Sequence, residues 1–356
     1  MRCLDCLLLL ALLAGLSAAK GQELPPIVAH RPPPAVLTGS DTADVPTDNC
    51  FNSYPDFRCE DWGCCHQWWC TSWYVRAELL TLFRNHDPRN RDLIQTSGGS
   101  TVLSADDFGF ELAPGISTML GRRIDGLTAF ELSYFGANQW NDARAYADAA
   151  NLRLPGSAGI ALDDFNNASV MEVELRSQLH NAEINVLRDG DGISYLAGFR
   201  YLGWHEQISI NALDSDLDES AYQVDVSNNL FGGQIGARWA QCHEFYDCEI
   251  TAKAGLFGNE ATQSQLLTNL DGTAVVRDLS STDGSLSFVG DLNLSVSYLV
   301  HRHWRIRGGY NLMVITGIAL AANQLDFSNN PLSGRRLRPD SEVFLHGFNV
   351  GLEAIW

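Results

Sequence analysis

Beyond its first twenty residues the chain has no apolar run of the roughly 20 residues that a membrane-spanning helix needs. If it sits in a membrane, it must do so as a closed barrel, because an open sheet would leave backbone polar groups unpaired in hydrocarbon. Positive charge is also scarce. Lys and Arg number 24 against 43 Asp and Glu, for a formal net charge of -19. That balance argues against binding nucleic acid or an anionic membrane surface through a basic patch, and fits a solvated acidic exterior. Catalytic signatures are missing too. The sequence holds no glycine-rich phosphate loop, no His-Glu-x-x-His pair and no Gly-x-Ser-x-Gly elbow. An enzyme reading has no anchor, and no cofactor is expected.

The amino end has the layout of a secretory signal: Arg2, an apolar run from Leu7 to Leu16, then Ser17, Ala18 and Ala19 before Lys20. We read residues 1–19 as that signal and 20–49 as a proline-rich linker, extended and without a core of its own. Residues 50–72 form a Cys- and Trp-rich segment on the periplasmic side, and 73–356 form the barrel. The closing stretch carries the clearest pattern. Phe344, Phe348, Val350, Leu352, Ala354 and Trp356 alternate with Gly347, Asn349, Gly351 and Glu353, the period of a strand with one apolar face.

Ten segments read as strands: 73–84, 109–120, 127–139, 170–187, 192–209, 228–241, 248–259, 285–300, 304–316 and 342–356. Short turns alternate with long polar stretches between them, as in an outer-membrane barrel with periplasmic turns and extracellular loops. The expected fold is therefore all-β: an antiparallel transmembrane β-barrel of about ten strands, with twelve allowed if the long loops hide two more. Apolar faces look to lipid and charged faces into the lumen. Around Leu179 to Ala182 the alternation slips, which suggests a bulge or a kink there.

Trp68, Trp69, Trp73, Tyr74, Trp304 and Trp356 cluster at the expected periplasmic end, where amphipathic rings favour the membrane interface. Arg76, Glu78, Asp291, Arg305, Arg307 and Glu353 are the expected lumen charges, either locked into ion pairs or forming a selectivity ring. Cys242 and Cys248 flank one turn. With Cys50, Cys59, Cys64, Cys65 and Cys70 they are disulfide candidates in an oxidising compartment, and the odd number leaves one either free or for an intermolecular link. No metal site is expected, since the adjacent Cys64 and Cys65 beside His66 and Cys70 lack zinc-knuckle spacing. The acidic run Asp214, Asp216, Asp218, Glu219 and Asp225 reads as a solvated external loop. Paired carboxylates Asp106, Asp107 and Asp163, Asp164 lie on the same outer side, with no histidine beside them in sequence.

Three stretches carry a family resemblance: Trp68 to Leu80 (WWCTSWYVRAELL), Gly198 to Glu206 (GFRYLGWHE) and the final strand ending in Trp356. They resemble the planctomycetal beta-barrel porins, outer-membrane proteins with a Trp-rich entry into the first strand. The resemblance implies an outer-membrane location and porin-like passive passage of small solutes, and supplies no catalytic residue. Its implied partners are the outer-membrane bilayer, the barrel-assembly machinery through the C-terminal strand, and small solutes. The competing role is an envelope or surface-binding barrel with a plugged lumen, cross-linked through the spare cysteine.

Overall fold

A computed structural model describes residues 73–85, 91–190, 192–214, 219–243, 246–301 and 303–356. The strands are β1 (Trp73–Asn85), β2 (Asp92–Thr96), β3 (Thr101–Ser104), β4 (Ala113–Arg123), β5 (Thr128–Arg153) and β6 (Asn166–Asp189). They continue with β7 (Ile193–Leu213), β8 (Glu219–Cys242), β9 (Tyr246–Asn269), β10 (Ala274–His301), β11 (Trp304–Ile318) and β12 (Ser341–Ile355). Antiparallel pairing runs from β1 through β4 and β5 to β12, and β12 closes on β1 with Arg76 opposite Glu353 and Leu79 opposite Val350. The result is a closed ten-strand antiparallel barrel. β2 and β3 form a hairpin that pairs with β5 only at its outer end, Gln95 with Arg153 and Thr96 with Leu152, and buries Leu93, Ile94 and Leu103 in the interior apolar cluster. Closure leaves no lipid-facing sheet edge within the bilayer, which is what permits a sheet to reside there.

All ten expected strands are present, but five of them are far longer than their sequence patterns suggest. β5 has 26 residues, β10 has 28, and β6, β8 and β9 have 24 each. A tilted strand crosses a bilayer in about 9–11 residues, so β5 to β10 stand well above the membrane on the outer side. Much of what reads as long polar loop is therefore wall. Glu219 and Asp225, expected in an external loop, lie in β8. Asp216 and Asp218 fall outside the described residues.

The face pattern inverts where the wall leaves the bilayer. Low on β6, Ile184 and Val186 are exposed while Glu183 and Asn185 are buried; higher up, Met171, Val173 and Leu175 are buried and Glu172 and Arg176 exposed. β8 does the same. Phe231 and Ile235 face out in its lower part, whereas Tyr222, Val224 and Val226 face in above, with Gln223, Asp225 and Ser227 on the outer side. Each half minimises free energy against its own solvent: apolar side chains face lipid below, and face each other when water surrounds the wall. This inversion accounts for the slip expected at Leu179 to Ala182. β6 keeps strict alternation there, and the bulge sits opposite it on β5, between Gly136 and Asn138, with Ala137 at φ 59°.

Candidate functional site

The lower lumen is a network of ion pairs built by the inward residues of nine strands. Arg76 on β1 contacts Glu353 on β12 at 3.0 Å and Glu249 on β9 at 3.2 Å. Arg307 on β11 reaches Glu249 at 2.7 Å and Glu78 at 3.1 Å. Arg238 on β8 forks onto Glu131 on β5 at 2.7 and 2.8 Å, and Tyr74 donates its hydroxyl to the same carboxylate at 2.6 Å. One layer higher, Glu183 accepts from Lys253 at 2.8 Å and from Gln234 at 2.8 Å, while Arg200 lies 3.6 Å away and pairs with Asp291. Arg305 pairs with Asp247 at the periplasmic mouth.

The six lumen charges named from sequence thus occupy the barrel interior, distributed over three levels. Their partners Glu131, Glu183, Arg200, Arg238, Glu249 and Lys253 escaped sequence reading. Each is a lone charge among small or apolar neighbours, and only the inward phase of its strand marks it. Paired cations and carboxylates at this depth hold one another by charge-assisted bonds and fill the space a stream of solute would need. The remaining cavity, lined by Glu131, Glu183, Lys253, Asp291, Asn293 and Arg307 among others, has about 130 Å³. That admits several waters. It is below the roughly 300–1,000 Å³ of ordinary small-molecule pockets.

Above the charges the interior is mainly apolar. Trp140 and Trp204 pack at 5.7 Å between ring centres, and Trp140 donates its indole N–H to the Leu82 carbonyl at 3.2 Å. Arg84 lies over the Phe110 and Trp204 rings and reaches Glu206 at 3.2 Å, closing off the charged layer. Beyond it one continuous apolar cluster includes Leu93, Phe108, Phe165, Ile210, Val224, Ile315, Leu320 and Leu325. Besides the β1–β4 connection, which supplies Leu93 and Phe108, two connections fold into the mouth to complete it. The first carries a helical turn at Ala158–Ala161, and the second, after β11, carries another at Ala321–Gln324.

Inward polar side chains of the wall hold the second connection by its backbone. Asn228 donates to the Ala319 carbonyl and accepts its N–H, both at 2.8 Å. Arg277 donates to the carbonyls of Asp326 and Ser328 at 2.8 Å, and Gln265 to that of Gln324 at 2.9 Å. Buried peptide groups need such partners. These bonds tie the 319–328 stretch to the wall.

Other expectations fall differently. Trp73, Trp304 and Trp356 are exposed on the outer face at the periplasmic end. Tyr74 is a correction: it is 5% exposed and turned into the lumen, because neighbours in a strand point to opposite faces. Cys242 stands opposite Asp247 and Cys248 opposite Gln241, one register apart rather than facing. Asp164 is buried and accepts from the Ser220 hydroxyl and the Asp271 N–H. Asp107 accepts from the Ser104 N–H at 2.7 Å, which holds its carboxyl below the usual range. Both are structural roles. Cys50, Cys59, Cys64, Cys65, Cys70, Trp68, Trp69 and the expected signal and linker lie outside the described residues.

A closed even-stranded barrel with a lipid-facing apolar belt, an aromatic lower rim and a polar lower lumen is an outer-membrane β-barrel protein. The chain belongs to a porin family: residues 94–356 match the family described as "Putative beta barrel porin-7 (BBP7)". No curated protein matches it. Among solved structures it is similar to the outer membrane protease OmpT from Escherichia coli, at 9% identity over 80% of this chain and 97% of that one, TM-score 0.39. It is also similar to the translocator domain of the autotransporter NalP from Neisseria meningitidis, at 8% identity over 80% and 88%, TM-score 0.38. A Pseudomonas aeruginosa FadL homologue shares 10% identity over 80% and 90%, TM-score 0.28.

Proposed function

We propose that this protein is a sealed outer-membrane barrel that acts as an envelope or surface component rather than as a standing pore. The observation that carries the reading is the continuous apolar cluster across the outer half of the lumen, with the 319–338 connection fixed inside it by Asn228, Gln265 and Arg277. A solute would have to displace that packing and then break buried ion pairs. Proteoliposomes loaded with the refolded barrel should therefore swell no faster in small sugars than empty liposomes. Rapid swelling would overturn the reading.

Porin-like passage is the second reading, favoured by the family and by the polar cavity beneath the plug. It requires the 319–338 connection to leave the mouth. The double substitution N228C/A319C tests it by tying plug to wall. Passage through a moving plug would appear in reductant and vanish on oxidation, whereas a sealed barrel is silent in both states.

The same reading takes the chain to the outer membrane by a signal at residues 1–19 and gives its C-terminal strand to the assembly machinery. It places the 50–72 segment in the periplasm, disulfide-bonded. A spare cysteine there would cross-link the barrel to another envelope component. Native envelopes run without reductant should show a slower band that collapses on reduction, and absence of that band removes the cross-link.

A further inference from the structure

Against its overall acidity the molecule gathers positive charge at one place on the outer rim. Arg335, Arg336 and Arg338, all exposed, precede β12 and line a recess of about 380 Å³ with Ser281, Thr282 and Asp283 of β10. Among the described residues no carboxylate pairs with these three guanidiniums, while those of the lower lumen are bound to Glu or Asp. Asp283 turns its own carboxylate to the Gly284 N–H. Asp340 is the other acid of the recess. Arg91 adds to the crowding: its own burial, and then the charge of Arg338, lower its pKa.

The height of the recess points to what would meet this charge. On the outward face of β10 the apolar belt ends at Leu286, followed upward by Gly284, Thr282, Ser280 and Asp278, with Val275 exposed again only near the top of the strand. On β12 the corresponding boundary lies between Phe344 and Glu342. Thr282 is four residues beyond Leu286, about 13 Å along the strand and about 10 Å along the membrane normal at a tilt near 40°. Polar headgroups occupy about 5–8 Å outside the hydrocarbon on each side, and arginine stems are long enough to reach back to that level. Guanidinium groups match phosphate oxygens with paired, charge-assisted hydrogen bonds.

We propose that the recess formed by Arg335, Arg336 and Arg338 against the Ser281–Asp283 segment binds the phosphate of anionic lipid headgroups in the outer leaflet. The site rests on the sealed reading, because Arg335, Arg336 and Arg338 belong to the 319–338 connection that would have to leave the mouth for the lumen to open.

The test uses the full chain refolded into bilayers of mixed phosphatidylcholine and phosphatidylglycerol, with the lipid that stays bound after extraction read by native mass spectrometry. Wild type should retain phosphatidylglycerol several-fold above its input fraction. R335Q/R336Q/R338Q should return retention to the input ratio, R335K/R336K/R338K should keep most of the enrichment, and R176Q, an exposed arginine on β6, should behave as wild type. Should the triple glutamine variant fail to fold, single R335Q and R336Q changes should each lower the enrichment. Millimolar inorganic phosphate should leave retained lipid unchanged. Input-ratio retention by wild type, full enrichment in the folded glutamine variant, an equal loss in R176Q, or displacement by free phosphate would each overturn the proposal.

Discussion

Glu249 is the residue on which the lower lumen turns, because Arg76 and Arg307 both bond to it and Arg238 lies 3.8 Å away. Each of these three guanidiniums also reaches a second carboxylate, Glu353, Glu78 or Glu131, so Glu249 links separate ion pairs into one network. Removing one partner of a buried ion pair leaves an uncompensated charge and costs about 3–5 kcal/mol. Glu249→Gln should lower the urea unfolding midpoint of the refolded barrel by an amount of that order, with the strand signal otherwise intact; an unchanged midpoint would mean that these pairs contribute little. A different residue governs a turn outside the membrane. Asp125 accepts the N–H groups of Leu127 and Thr128 at 2.8 and 2.6 Å, and these bonds, that of Leu127 first, depress its pKa. A carboxylate with a depressed folded pKa stabilises above its unfolded value, near 3.9, and that contribution is lost as pH falls through the folded pKa. Protection of the Leu127 and Thr128 amides from exchange should therefore fall in strong acid in wild type and stay flat in D125N. Identical profiles would remove Asp125 as the cause.

At the scale of the strand the determining fact is the exchange of solvent partway along one element. β8 presents Ile235 to lipid and, eight residues earlier on the same face, Ser227 to water. Arginine on the lipid face near mid-bilayer costs about 2–4 kcal/mol and little outside it. Ile235→Arg should destabilise the barrel by that amount, and Ser227→Arg should change the unfolding midpoint by less than the error of the measurement. Equal effects would place the membrane boundary elsewhere. This exchange also explains what the sequence made legible. Lower strand halves such as those at Phe288 to Tyr298 and Phe344 to Trp356 were readable because outward apolar residues alternate with inward polar ones at a single phase. The upper halves of β5 to β10 keep the period but invert the polarity, so Gln223, Asp225 and Ser227 read as loop although they are the wet face of a strand whose dry face is Tyr222, Val224 and Val226. Lumen charges on the short strands β1, β11 and β12 were accessible through the closing register. Glu131, Glu183 and Glu249 were not, since which strand stands across the lumen is not a local property.

The molecule as a whole combines two solvation regimes in one wall: a lipid-embedded barrel with a charged interior, and above it a water-surrounded barrel with an apolar interior completed by the 319–338 connection. Membership in a porin family describes the first regime, while the second determines whether anything passes. The direct measurement is single-channel recording of the full refolded chain in a planar bilayer at neutral pH, with heat-modifiable mobility on a gel confirming that the barrel is folded. The sealed lumen proposed above predicts a quiet membrane at every applied voltage below the bilayer's own breakdown; reproducible open steps from folded wild-type barrels would contradict it and establish a through-pore.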